Sequence, residues 1–157
     1  MFNFKRRFIM TEEILNKAAE EAVRLFKSGY SCSEAVLLSF ETNTEKCFSE
    51  DAKRGMSAYV EGLSGSGCIC GALSGGVFVL STLGGRLTKD EPIDKLKIAV
   101  RTFHDDFRRE FSSACCRVIT AKSAKLFGIG KYKTCHLTVE FCIRNIMKLA
   151  AENGWIK

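Results

Sequence analysis

Proline, histidine and tryptophan are scarce in this chain of 157 residues, which holds one proline, two histidines and one tryptophan. With Pro92 as the only proline, almost nothing interrupts a helix. Two histidines, His104 and His136, leave little material for imidazole acid–base chemistry or a multi-histidine metal site. A long apolar run is also lacking. The longest uncharged stretch, Gly62 to Gly85, contains eight glycines, and its continuous apolar part falls short of the ~18 to 20 residues of a membrane span. The opening MFNFKRRFIM has no apolar stretch fit for a secretory signal, and Glu12 and Glu13 follow at once. The expectation is therefore a cytoplasmic protein without a membrane span.

Hydrophobic residues at 46% and charged residues at 27% are a globular composition, and the length suits one domain. Residues 11–157 read as a single helical domain behind an N-terminal extension of residues 1–10. The net charge of +6 is spread along the chain. The basic clusters Lys5–Arg7 and Arg108–Arg109 are short and lack interleaved aromatics, so nucleic acid is not an expected partner. Eight cysteines lie below the ~8 to 10% of a disulfide-built secreted scaffold. In a reducing compartment they would serve as apolar filler, metal ligands or redox groups.

Apolar spacing predicts helices almost throughout. Thr11-Glu12-Glu13 opens a segment with Ile14, Ala18, Ala22, Leu25 and Phe26 on one face, ended by Gly29. Ser31 or Ser33 caps the next helix, and Ser49 a shorter one through Tyr59. The loop from Gly62 to Gly67 leads to Cys70, where an apolar helix runs to Leu83 and stops at Gly84-Gly85. Leu96, Val100, Phe103, Phe107 and Phe111 form the stripe of a long amphipathic helix with Pro92 at or near its first turn. Ser113 is expected to cap a helix from Cys116 to Leu126, which Gly128 and Gly130 break. Lys133 to Glu152 forms the last helix. The fold expected is an all-α bundle of about six helices, with the glycine-flanked Cys70 helix at its centre.

Cys32, Cys70, Cys116 and Cys135 each fall in or beside the first turn of a different predicted helix. Unsatisfied N–H groups and the positive end of the helix dipole favour an anion there, so a thiol becomes a better nucleophile or ligand. Cys142 lies mid-helix on the apolar face of Val139, Ile146 and Leu149 and reads as packing. Local metal signatures are weak: Cys68-Ile69-Cys70 is C-x-C, and the wider spacings match no zinc ribbon or ferredoxin run. Gly71, Ala72 and Gly75 are small residues beside Cys70. They suit either close helix packing or N–H groups exposed to a sulfur or cofactor. His104, beside Asp105, reads as a hydrogen-bonded surface histidine. His136 directly follows Cys135 and is not placed to pair with it on a helix.

Cys70-Gly71-Ala72-Leu73-Ser74-Gly75 is a CGAxxG motif, preceded by Gly62-Leu63-Ser64-Gly65 and followed by Gly84-Gly85-Arg86. With Tyr30-Ser31-Cys32-Ser33-Glu34-Ala35, the segment Phe111 to Arg117 and Cys135, the chain resembles the redox-active family named for its cysteine pattern, C_GCAxxG_C_C. The resemblance implies a small helical protein with four characteristic cysteines, here Cys32, Cys70, Cys116 and Cys135, and a redox role. Cys47, Cys68, Cys115 and Cys142 lie outside that pattern; Cys68 is a candidate resolving partner for Cys70.

Three functions are compatible with these residues. The four thiols could bind an iron–sulfur cluster or zinc. Pairs of them could cycle between dithiol and disulfide, as in an oxidoreductase or electron carrier with a redox partner. Alternatively the chain is a non-catalytic helical interaction or structural protein with mostly buried cysteines. A homodimer is compatible with the exposed helix faces.

Overall fold

The computed structural model describes residues 10–127 and 133–156, with no side-chain account for 122–127 or 133. Within them lie seven α-helices and one 3-10 turn: α1 (Glu12–Lys27), α2 (Cys32–Thr42), α3 (Glu50–Gly55), the 3-10 turn (Ser57–Tyr59), α4 (Gly71–Gly84), α5 (Asp94–Phe111), α6 (Cys116–Phe127) and α7 (Lys133–Glu152). The described residues include no strand. No described helix is long and apolar enough to cross a membrane. The expected extension at 1–10 falls, apart from Met10, outside the described residues, as does the helix break at Gly128 and Gly130.

Polar side chains start the first three helices. Thr11, Ser31 and Ser49 each accept a hydrogen bond from a backbone N–H in the first turn, and Ser31 forms a full capping box with Glu34. The third helix is shorter than expected: α3 stops at Gly55 and the chain tightens into the 3-10 turn. α5 begins one step later than the proline suggested, with Ile93 at its N-cap and Pro92 outside it. Ser113 does not cap α6. Its hydroxyl accepts from the Cys115 N–H at 3.0 Å, while the Cys115 carbonyl takes the first helical bond, from Ile119 N–H at 3.1 Å.

The stripe of α5 faces inward as its spacing requires. Phe103 and Phe107 are fully buried, and Leu96, Val100 and Phe111 pack at the core edge. Phe107, Phe111 and Phe141 form an aromatic cluster between α5 and α7, with ring centroids 4.7–6.0 Å apart. α4 lies among α2, α5 and α7, and shares the centre of the bundle with α7, which touches α1, α2, α4, α5 and α6. Val77-Phe78-Val79-Leu80 is helical within α4. α2 and α4 approach closely because Gly75 lacks a side chain: a Cβ there would lie 2.7 Å from the Ser33 carbonyl oxygen and 3.0 Å from its Cα.

Candidate functional site

Four helix starts meet at one end of this packing. Cys32 is the first residue of α2, Cys70 the N-cap of α4, Cys116 the first residue of α6, and Cys135 the third residue of α7. Backbone contacts hold the first three in place. Ser33, next to Cys32, donates its hydroxyl to the Met56 carbonyl at 2.8 Å. The Cys70 N–H donates to the Ala114 carbonyl at 2.8 Å, and the Arg117 N–H to the Gly67 carbonyl at 3.0 Å. The start of α4 is thus tied to the start of α6. Gly71 has to be glycine for the sulfur: a Cβ there would lie 2.6 Å from Cys32 Sγ.

Cys32 is the common neighbour. Burial pushes its thiol up to about 12, and the sulfurs of Cys70, Cys135 and Cys116 add to the rise, so all three lie within electrostatic range of it. Burial likewise raises Cys70, against the N–H groups of Leu73 and Ala72 and the Thr138 hydroxyl, which favour its thiolate. Ala72 therefore supplies an N–H beside the sulfur. With Cys70 protonated, the Thr138 hydroxyl donates to the Cys135 carbonyl at 3.0 Å, so one side chain borders both cysteines. Thr138 carried no signal in the sequence beyond its place one turn after Cys135.

A cleft of about 680 Å³ opens onto this cluster, lined among others by Cys32, Cys116, Cys135, His136, Tyr30 and Glu34. Cys70 stands behind it, buried. Cys135 is half-buried, whereas Cys32 and Cys116 are buried. His136, one residue on from Cys135, shares the cleft, and its ring meets Phe26 edge-on at 5.3 Å. Burial and then the Lys27 charge lower its proton affinity, so it is neutral at pH 7. Adjacent residues of the first turn can both border a cleft that lies across the helix end, which spacing on a helix face did not anticipate. His104 stays outside the site and pairs with Asp105 at 3.0 Å.

The remaining cysteines separate from one another. Cys142 is fully buried, and burial together with the nearby Cys70 and Cys32 sulfurs raises it strongly. It packs the core, as its spacing implied, but directly behind the cluster. Cys68, a candidate resolver for Cys70, instead lies beside Cys115, whose thiol raises its hold on the proton. Cys47 is exposed. All eight are thiols, and among the described residues no three of His, Cys, Asp or Glu are disposed to hold one metal ion.

The loop before Cys70 is a left-handed turn. Glu61, Gly62, Leu63, Ser64 and Gly65 have φ of 51°, 69°, 55°, 54° and 85°, and the Gly65 N–H returns to the Val60 carbonyl at 3.2 Å. Gly62 has a second reason to be glycine, since a Cβ there would meet Cys68 N at 2.6 Å and Cys116 Cβ at 3.0 Å. Left-handed backbone costs a non-glycine residue about 1–2 kcal/mol. Glycine returns part of that gain as chain entropy, about 0.5–1 kcal/mol. Leu63 is exposed, so Leu63→Gly is expected to stabilise the protein by about 0.5–1 kcal/mol. The denaturant midpoint reads this, and a lowered midpoint would mean that the Leu63 side chain supports the turn.

Comparison with curated proteins and with solved structures gives no match. A family model does match, over residues 30–150, and its description reads "Putative redox-active protein (C_GCAxxG_C_C)". The matched span runs from Tyr30, before Cys32, to Ala150 in α7 and includes all four helix-start thiols. On the strength of that span, the chain belongs to the C_GCAxxG_C_C family.

Proposed function

We propose that this chain is a thiol–disulfide electron-transfer protein in which Cys32 is the shared resolving thiol for Cys70, Cys116 and Cys135. One observation carries this reading: Cys32, Cys116 and Cys135 line a single cleft, and the Cys32 sulfur lies against Gly71, the residue after Cys70. The membership in a redox-active family supports it. Cys135 is the half-buried thiol of the cleft, the one a partner protein's disulfide reaches first. Its thiolate attacks one sulfur of that disulfide and forms a mixed disulfide; Cys32 then attacks the Cys135 sulfur and releases the partner as a dithiol. Two thiols here lose two electrons and two protons, and the partner's disulfide gains them. Neutral His136, in the same cleft, is a base for the Cys135 proton.

A metal centre on the same thiols is the second reading, favoured by the chemistry of the donors. Four thiols at neighbouring helix starts, with Cys32 and Cys70 held protonated by burial, are a donor set for zinc or an iron–sulfur cluster, whose cation would favour their thiolates. Cys32, Cys70, Cys116 and Cys135 would be the ligands, with Gly71, Ala72 and Gly75 as the close backbone around them. No three are disposed to hold one ion in the described geometry, so the helix starts would have to draw together on binding, and no step is derived through the metal.

One experiment separates these. Protein purified without oxygen is assayed for iron, sulfide and zinc, then reduced, freed of metal and titrated with a dithiol–disulfide couple. The electron-transfer reading expects reversible two-electron oxidation, an inner disulfide that maps to Cys32, and its loss in Cys32→Ser. Stoichiometric metal that disappears in Cys70→Ser would establish the metal centre instead. Thiols that stay inert in the folded, metal-free protein would leave a structural role.

A further inference from the structure

We propose that Cys68 and Cys115 form a second, solvent-facing dithiol that closes to a disulfide and staples the loop before α4 to the start of α6. The proposal is independent of how the inner thiols act. Neither residue belongs to the four helix-start positions, and the two are 47 positions apart in sequence, yet the backbone hydrogen bonds on either side of them bring their segments together, and each thiol is near enough to influence the other's proton. Their backbones explain the meeting. Gly67 and Cys70 flank Cys68 on one segment; Ala114 and Arg117 flank Cys115 on the other. The Arg117 N–H donates to the Gly67 carbonyl at 3.0 Å and the Cys70 N–H to the Ala114 carbonyl at 2.8 Å. These two hydrogen bonds run in opposite directions and hold the two segments side by side in antiparallel sense, with Cys68 and Cys115 both inside the bracket.

Further contacts tighten the bracket. The Arg117 guanidinium donates to the Ser66 carbonyl at 2.6 Å, and the Ser113 hydroxyl accepts from the Cys115 N–H at 3.0 Å. Gly67 admits the Arg117 side chain, because a Cβ there would stand 2.9 Å from Arg117 Cβ. Access also differs from that of the inner thiols. Cys68 is exposed and Cys115 is partly exposed, whereas Cys32, Cys70 and Cys116 are buried. A small disulfide in solution therefore reaches Cys68, like the exposed Cys47, before the inner thiols, and Cys68 has Cys115 on the neighbouring segment to complete the exchange.

The chemistry needs only a low-molecular-weight disulfide as oxidant. The Cys68 sulfur attacks it, forms a mixed disulfide and releases one small thiol. The Cys115 sulfur then attacks Cys68 and releases the second. Two protein thiols become one disulfide, and the oxidant takes up both electrons and both protons as two thiols. The product joins segments that end at Cys70 and Cys116, so oxidation outside the cleft fixes two of the four inner helix starts in place.

The test treats the reduced full-length chain with a limited amount of oxidised glutathione, quenches with acid and fragments the linked peptides to the residue. The expected first cross-link joins Cys68 to Cys115, with loss of two hydrogens and no retained glutathione at either residue. Cys115→Ser should lose this link and accumulate glutathione on Cys68. Cys32→Ser should keep it, which separates this proposal from the inner electron-transfer reading. A wild-type protein that retains glutathione on Cys68 while Cys115 stays reduced would overturn the proposal, as would a first link from Cys68 to Cys70. The wild-type map decides even if a variant fails to fold.

Discussion

Raising the pH through the alkaline range is expected to cost the reduced, metal-free protein about 4 kcal/mol of stability through Cys32 alone. Folded Cys32 keeps its proton up to about 12, against an ordinary value of 9.0 that the unfolded chain regains. Below 9.0 both states hold the proton and the contribution is intact. Between the two values the unfolded chain has released the proton and the folded chain has not, so each pH unit favours unfolding by about 1.4 kcal/mol. Burial of Cys70 and Cys142 pushes their thiols in the same direction and steepens the loss. Denaturant unfolding of wild type and Cys32→Ser across this range measures it. Serine does not titrate there, so the variant should show a slope shallower by about 1.4 kcal/mol per pH unit, whatever its starting stability. An unchanged slope would mean that Cys32 is not the buried acid described above.

Gly75→Ala is expected to destabilise the protein by about 2 kcal/mol, although alanine in place of a helical glycine ordinarily gains about 1 kcal/mol. The added Cβ would lie 2.7 Å from the Ser33 carbonyl oxygen and 3.0 Å from the Ser33 Cα. Both obstacles are backbone, so relief requires α2 to move away from α4. Cys32 travels with α2, and the same substitution should slow oxidation of the inner thiols. Gly55→Ala is the control, since nothing lies within 4 Å of a Cβ there and the change should show only the propensity gain. Denaturant midpoints for the two variants should move in opposite directions. Equal shifts would place the α2–α4 contact elsewhere.

Much of the helical frame was legible because its signals are local. Thr11, Ser31 and Ser49 announce their helices by residue type, and the stripe through Phe103 and Phe107 announces its buried face by spacing. Cys32, Cys70, Cys116 and Cys135 could be selected as helix-start thiols for the same reason. Where Ser113 misled, two polar residues and two cysteines crowd the same turn, and only the hydrogen bonds show that Cys115 opens the helix. The antiparallel bracket around Cys68 and Cys115 could not be read at all, since it arises from two distant loops with no periodicity of their own. The left-handed turn at 61–65 was visible only as a glycine-rich loop, because Glu61, Leu63 and Ser64 are ordinary residues whose positive φ is imposed by their neighbours. The spacing of Cys142 on the α7 face is enough to place it in the core, yet its nearness to Cys70 depends on how α7 lies across α4.

That lie of α7 bears on how the protein is made. α7 follows the other helices in sequence and touches α1, α2, α4, α5 and α6, so the bundle cannot close until α7 has been made and docked. During synthesis seven cysteines precede Cys142 and have no finished core to shelter them. A chain caught by an oxidant at that stage would be free to join Cys32 to Cys47 or Cys68, and those bonds would hold α2 away from its seat. Assembly of the four helix starts is thus expected to be cleanest from the reduced chain, with oxidation following the docking of α7.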